Sequence, residues 1–290
     1  MKTDDFQAQR TLAKVLKREL SPATVGEDGW TDLHFAAVMG LSDDCRALVG
    51  QGVPVDARLK DDGQSLSAGL MRTLRDLSLE FTTWEREGDA PLHLAAWANA
   101  PATAAALLGC GANVNGKLAS GATPLSVAAR FDSAATAEVL LANGADVQVR
   151  EFFRYTPLHT AAFQRSLATA KLLVDAGADI AARGHDNWTP LHVAALFDAT
   201  DVARLLLDCG ADINAVSEAD GGTPLDFAEA RSCNATAAML RRRGGDITVE
   251  ERTEMIGVID TKLGGGWGVM QPIYRRTKKR RPPRRPRAVG

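Results

Sequence analysis

The sequence predicts an all-α repeat solenoid of stacked helix-turn-helix units. Three observations carry this. One phrase recurs six times, as TDLHFAA at 31–37, APLHLAA at 90–96, TPLSVAA at 123–129, TPLHTAA at 156–162, TPLHVAA at 189–195 and TPLDFAE at 223–229. The last five copies start 33, 33, 33 and 34 residues apart. A second phrase recurs in step with the first, as CGANVN at 110–115, NGADVQ at 143–148 and CGADIN at 209–214. A fixed period of this length marks a stack in which each unit buries its apolar faces only against its neighbours.

The unit at 156–181 shows how the residues make the elements. Thr156 can cap a helix with its hydroxyl, and Pro157 suits the first helical position, where its missing N–H would be unpaired anyway. Leu158, Ala161 and Ala162 form an apolar stripe at helical spacing, and the small alanines let neighbouring helices approach. Ala170, Leu172, Leu173 and Val174 supply the contacts of a second helix. Gly177 ends that helix in the left-handed conformation, and Asp179 turns the chain towards the next unit.

These residues resemble the ankyrin repeat family. The shared motifs are TPLHxAA, the LL pair and GAD/GAN, over roughly 26–246. The resemblance implies antiparallel helix pairs, β-turn fingers projecting at right angles, and a curved stack that binds proteins in its concave groove. It also implies that His34, His93, His159 and His192 each bond the finger to the helix. Ser126 and Asp226 stand in that slot in the third and sixth units, so those links should differ.

The organisation expected along the chain is a capping helix in 1–24, six repeats in 25–246, a capping helix and linker in 247–274, and a basic tail at 275–290. Phe6, Leu12, Val15, Leu16 and Leu20 share one helical face, with acids at its start and cations near its end. TVEE at 248–251 is a capping-box pattern, followed by Met255, Ile256, Ile259 and Leu263 before GGG at 264–266. The sixth repeat suits an end position, with Glu229 in place of the second alanine and Arg241, Arg242 and Arg243 before Gly-Gly. Thr31 to Ala90 is 59 residues, 26 more than one period, so an insertion falls at about 58–88. Leu70, Met71, Leu74, Leu77, Phe81 and Trp84 lie within it, and it is read either as a functional loop or as a lid on its own stack.

Composition narrows the function. The 290-residue chain is 45% hydrophobic, with no apolar run near the ~18 residues of a membrane helix. MKTDDFQAQR lacks the apolar core of a signal peptide, so an intracellular protein is expected, cytoplasmic, or nuclear if the host is eukaryotic or receives it by delivery. The sequons at 187–189 and 234–236 are therefore read as accidental. Cys45, Cys110, Cys209 and Cys233 have no CxxC spacing and read as reduced residues. One histidine per repeat is wrong for a metal site, and P-loop, GxSxG and HExxH motifs are absent. The expectation is a non-catalytic adaptor, monomeric, without cofactor or metal.

The tail carries Arg275, Arg276, Lys278, Lys279, Arg280, Arg281, Arg284, Arg285 and Arg287 and no acid. Removing these nine leaves 25 basic against 36 acidic residues, a net −11. Such a segment cannot bury a core and is expected to be disordered. KKRR resembles a nuclear localisation signal, and the same charge suits nucleic acid, an import receptor, an anionic membrane surface, the acidic body itself, or solubility alone. The alternative function is thus a nucleic-acid-associated or nuclear regulator.

The partner-binding candidates are Trp30, Trp97, Phe131, Phe152, Phe153, Tyr155, Phe163, His185, Trp188 and Phe197. By the resemblance, the residue before each Thr lies on a finger and the two after AA face the groove. Large aromatics there supply most interface energy, although rings at helix ends also fill gaps between repeats. For 152–155 with Trp188 the expectation is groove exposure, rimmed by Glu151, Arg154, His185 and Asp186.

Overall fold

The computed structural model describes residues 31–58, 90–118, 120–218 and 221–248. The expected N-terminal cap, Trp30, all of the insertion beyond Arg58, the C-terminal cap beyond Thr248 and the basic tail lie outside the described residues. Twelve α-helices and no strand occur among them. They pair as α1 (Asp32–Val38) with α2 (Ser42–Gly50), α3 (Pro91–Trp97) with α4 (Pro101–Gly109), α5 (Pro124–Phe131) with α6 (Ala134–Ala142), α7 (Pro157–Gln164) with α8 (Leu167–Asp175), α9 (Pro190–Leu196) with α10 (Thr200–Asp208), and α11 (Pro224–Ala230) with α12 (Asn234–Arg242). First helices pack on first helices of adjacent repeats, and second on second. The all-α solenoid is the fold.

Four of the six first helices begin at a Thr-Pro pair, while α1 begins at Thr31-Asp32 and α3 at Ala90-Pro91. Thr189 accepts a hydrogen bond from the His192 amide, and Pro190 occupies the first turn. Leu33, Leu92, Leu125, Leu158, Leu191 and Leu225 are fully buried, as are the alanine pairs from Ala36–Ala37 to Ala194–Ala195. Gly177, at φ 84°, ends α8 where a side chain would be strained. Its neighbour Ala178 donates back to the Leu173 carbonyl at 2.9 Å.

Two polar ladders set the register between repeats. At the finger base, Asn115 accepts from the Asp146 amide at 2.8 Å and donates to the Gly144 carbonyl. Gln148 repeats this with Gly177 and Asp179, and Asn214 accepts from Asp246. The second ladder starts from a left-handed residue between the two helices of a repeat. Asn99, Asp132 and Asp198, at φ 50°, 52° and 54°, each accept from both the amide and the hydroxyl of a threonine in the next repeat, Thr136, Thr169 and Thr236. Those amides belong to helical first turns and have no intrahelical partner. Where Arg165 takes the left-handed place it donates instead to the Phe197 carbonyl, at 2.7 Å, and Val202 stands where the threonine would be.

The first repeat breaks this rule. Gly40, at φ 72°, has no side chain to offer, and the buried hydroxyl of Thr103 in the next repeat has no partner among the described residues. A Cβ at Gly40 would meet nothing closer than Ala100, at an ordinary 3.8 Å. An asparagine there completes the ladder, and Gly40→Asn should raise stability by about 1 kcal/mol in urea unfolding. Thr103→Val, which removes the orphan group, should be neutral or stabilising. A loss in both variants would sink this account of the first junction.

Candidate functional site

The site is built on the histidines of the repeated phrase. In α3, α7 and α9 the imidazole Nδ1 accepts the amide of the residue that starts the helix: Ala90 at 3.3 Å, Thr156 at 3.2 Å and Thr189 at 3.2 Å. Nδ1 is therefore unprotonated, and the proton sits on Nε2. From there it is donated to the next finger, to the carbonyls of Gly116 at 3.1 Å, Trp188 at 3.0 Å and Gly222 at 3.2 Å. Burial pushes these imidazoles down, to about 4 for His93, about 3 for His159 and about 4 for His192. The bond from finger to helix implied by the family resemblance is present in all three.

Both departures from histidine are re-bonded. Asp226 accepts through Oδ2 from the Thr223 amide and hydroxyl, both at 2.9 Å, and from the amide and hydroxyl of Thr248 beyond the last described helix. Ser126 closes its cap against Thr123, at 3.1 Å, and does not span to the next finger as an imidazole would. The Glu151 side chain from that finger bonds Ser126 instead. Burial pushes the Glu151 carboxyl up to about 7, against the Ser126 bond and the Arg130 charge, which lower it. Gly184 explains the fit, because it holds the same place on the following finger. A Cβ at 184 would sit 3.5 Å from the His159 Nε2 and 2.3 Å from the Tyr155 ring.

The fingers carry two strained turns. Phe152–Arg154 is a single 3-10 turn with Phe153 and Arg154 left-handed, at φ 59° and 60°. His185–Asn187 repeats it with Asp186 and Asn187 at 54° and 59°. Non-glycine residues hold such angles only when neighbours enforce them. Arg150 does so here, donating through Nη1 to its own finger at Arg154 O and to the next at Arg183 O, both at 2.9 Å. Arg183 does the same with Asn187 O at 2.9 Å and Val216 O at 3.1 Å.

The aromatic candidates divide. Tyr155 and Trp188, expected in the groove, are each only 2% exposed. Tyr155 stacks on His159 with centroids 4.8 Å apart and planes at 9°. Trp188 meets Phe227 of the sixth repeat edge-on at 4.8 Å. Their expected exposure is corrected: both rings fill the junction between repeats because the finger lies directly over the next cap. Phe163 and Phe197 are buried as well, edge-to-face at 4.4 Å. Among the candidates whose side chains are described, four retain access. Trp97 and Phe131 are half-buried and meet edge-on at 6.2 Å across consecutive repeats. Phe153 is half-buried and lies 5.7 Å from the exposed His185, whose imidazole pairs with Asp186 at 2.9 Å. The half-buried Phe35, Val38 and Met39 lie on α1 and its cap. The slot of Phe35, the fourth after Thr, is buried in the five other repeats, at Leu94, Val127, Thr160, Val193 and Phe227, so its access is particular to the first repeat.

Glu229 pairs with Arg241, and Arg243 reaches Asp208 of the fifth repeat. All four cysteines are free, and burial pushes the Cys45 thiol up to about 12. No group of His, Cys, Asp or Glu among the described residues could hold a metal ion, and no described helix is long and apolar enough to cross a membrane.

The profile described as Ankyrin repeats (3 copies) matches residues 70–151, 92–184, 125–217 and 182–251. The chain belongs to the ankyrin repeat family. Among curated proteins none matches the sequence. Among solved structures, the crystal structure of the human ASB11 ankyrin repeat domain is similar, with 28% identity, a TM-score of 0.58, and 75% of this chain aligned to 85% of that one.

Two predictions follow from the ankyrin junctions. Trp188→Ala should cost about 3–5 kcal/mol in urea unfolding, as expected for a buried ring, while Phe153→Ala should cost about 1 kcal/mol. Equal losses would contradict the division between packing and accessible rings. The second concerns pH. A histidine depressed from 6.5 in the folded state contributes stability that is full above about 6.5 and lost as pH falls towards its folded value. Glu151 acts oppositely, because the folded carboxyl binds its proton near 7 and the unfolded one only near 4.5. Stability should therefore fall on acidification, and Glu151→Gln should steepen that fall between pH 7 and 5. Unfolding curves at pH 5, 6, 7 and 8 test it, and an unchanged slope would remove Glu151 from the balance.

Proposed function

We propose that this ankyrin stack is a non-catalytic adaptor. It takes a protein partner on the groove-side ends of its first helices and on its fingers. The carrying observation is the half-buried edge-to-face pair of Trp97 and Phe131, beside Phe35, Val38 and Met39. Ankyrin repeats generally mediate protein–protein interaction, which fits this use. A rigid stack supports it further, because side chains already held in place lose little freedom on binding. Phe153 and His185 extend the proposed surface onto the fingers, while Tyr155, Phe163, Trp188 and Phe197 support it from beneath. The nuclear or nucleic-acid reading rests on 275–290, outside the described residues, and finds no support in the comparisons.

Capture from native lysate by the full chain, with mass spectrometry of the bound proteins, tests the reading. Trp97→Ala/Phe131→Ala should remove a partner that the exposed outer-helix variant Arg204→Ala retains, with the helical signal and melting curve of a folded stack. Loss of two central anchors should weaken binding by about 2 kcal/mol or more. If the double variant captures the same proteins as the parent, and they vanish only when the chain ends at residue 274, the groove surface is not the recognition site.

A further inference from the structure

The same fingers carry a column of cations that the aromatic surface does not explain. Lys117, Arg150 and Arg183 recur at intervals of 33 residues, six positions before the residue that starts each helix. All three are exposed, as is Arg154 on the turn between the last two. Hydrogen bonds tie fingers together along it: Arg58 Nη1 donates to the Lys117 carbonyl at 2.6 Å, Arg150 to that of Arg183, and Arg183 to that of Val216. Arg150 and Arg183 spend only Nη1 on these carbonyls, and a guanidinium has five N–H donors. Of the acids beside it, Glu151 is turned inward onto Ser126, Asp186 is engaged with His185, and the exposed Glu218 accepts from the Asn187 side chain at 2.8 Å. A positive column thus stands on a chain that is net −11 without its tail.

We propose that Lys117, Arg150 and Arg183 dock an acidic, extended segment of the partner protein, with a carboxylate at about every third residue. This rests on the adaptor reading and names the partner's chemistry. Packed helices lie about 8–10 Å apart, which sets the rise from one finger to the next. An extended chain covers about 3.3 Å per residue, so three residues span one repeat. Asp146, Asp179 and Asp212 recur exposed on the same fingers and oppose a uniformly charged polyanion. A peptide with spaced carboxylates avoids them, which favours a protein segment over nucleic acid.

The test uses the full-length chain with its nine tail cations changed to glutamine, so that the tail cannot bind the probe. Fluorescence anisotropy is read for the labelled peptide (Glu-Gly-Ser)4, for a peptide of the same composition with its four glutamates contiguous, and for a 12-nucleotide oligothymidylate. The spaced peptide should bind most tightly and weaken with salt. Arg150→Gln/Arg183→Gln should reduce its affinity about fivefold or more, while Arg204→Gln on the outer helix should not. Arg150→Lys/Arg183→Lys keeps the charge and should retain most binding with an intact melt. Equal losses in the lysine and glutamine variants would mean that the arginines act only as finger clamps, and would overturn the proposal. Tighter binding of the contiguous peptide would overturn it too, as would tighter binding of the oligonucleotide. Failure here with partner capture still sensitive to Trp97→Ala/Phe131→Ala removes the column and leaves the adaptor reading in place. Insensitivity of capture removes that reading itself.

Discussion

Everything in this stack depends on a neutral imidazole used from both sides. Nδ1 closes the cap of its own helix, and Nε2–H reaches the finger of the next repeat. A charged imidazole would donate from both nitrogens and break the cap. Burial therefore does more than exclude water: it keeps His93, His159 and His192 in the one protonation state that can bridge two repeats. Each bridge orders one finger, each finger covers the next cap, and stability accumulates junction by junction.

The departures from the repeat show how tightly neighbours are coupled. Ser126 is too short to bridge, and the following finger supplies Glu151 towards it. Asp226 puts an acceptor where the imidazole would donate, and it captures the amide and hydroxyl of Thr248. Arg165 cannot accept from a threonine, and the next repeat has Val202. In each case two residues far apart in the sequence make sense only together. Gly40 with Thr103 is the exception, and it falls at the junction where the insertion interrupts the period.

Much of the fold was legible because its signals are local. Thr, Pro, Leu and His fall within four residues and start a helix by capping chemistry that needs no tertiary context. The exposure of the rings was not legible, since it is decided between repeats. Tyr155 and Trp188 both precede the helix-starting threonine, which pointed to the finger. What buries Trp188 is Phe227, 39 positions on, where the preceding repeats carry Thr160 and Val193. What admits the Tyr155 ring is Gly184, where neighbouring fingers have Leu118 and Glu151. Comparing each slot across repeats would have shown both, while reading one repeat along its length could not.

This coupling also bears on what the surface can do. Tyr155, Phe163, Trp188 and Phe197 are consumed by packing, so much of the accessible apolar area lies towards the first three repeats, around Trp97 and Phe131. The cations follow a different rule. Arg150 and Arg183 are bound by their own fingers and by the next, and yet keep their heads in water. They clamp strained turns and present charge in the same conformation. A side chain that is ordered for structural reasons has already lost its rotamer freedom before a ligand arrives. The polar ladders that hold the register thus also preorganise the fingers, and structure and recognition draw on the same hydrogen bonds.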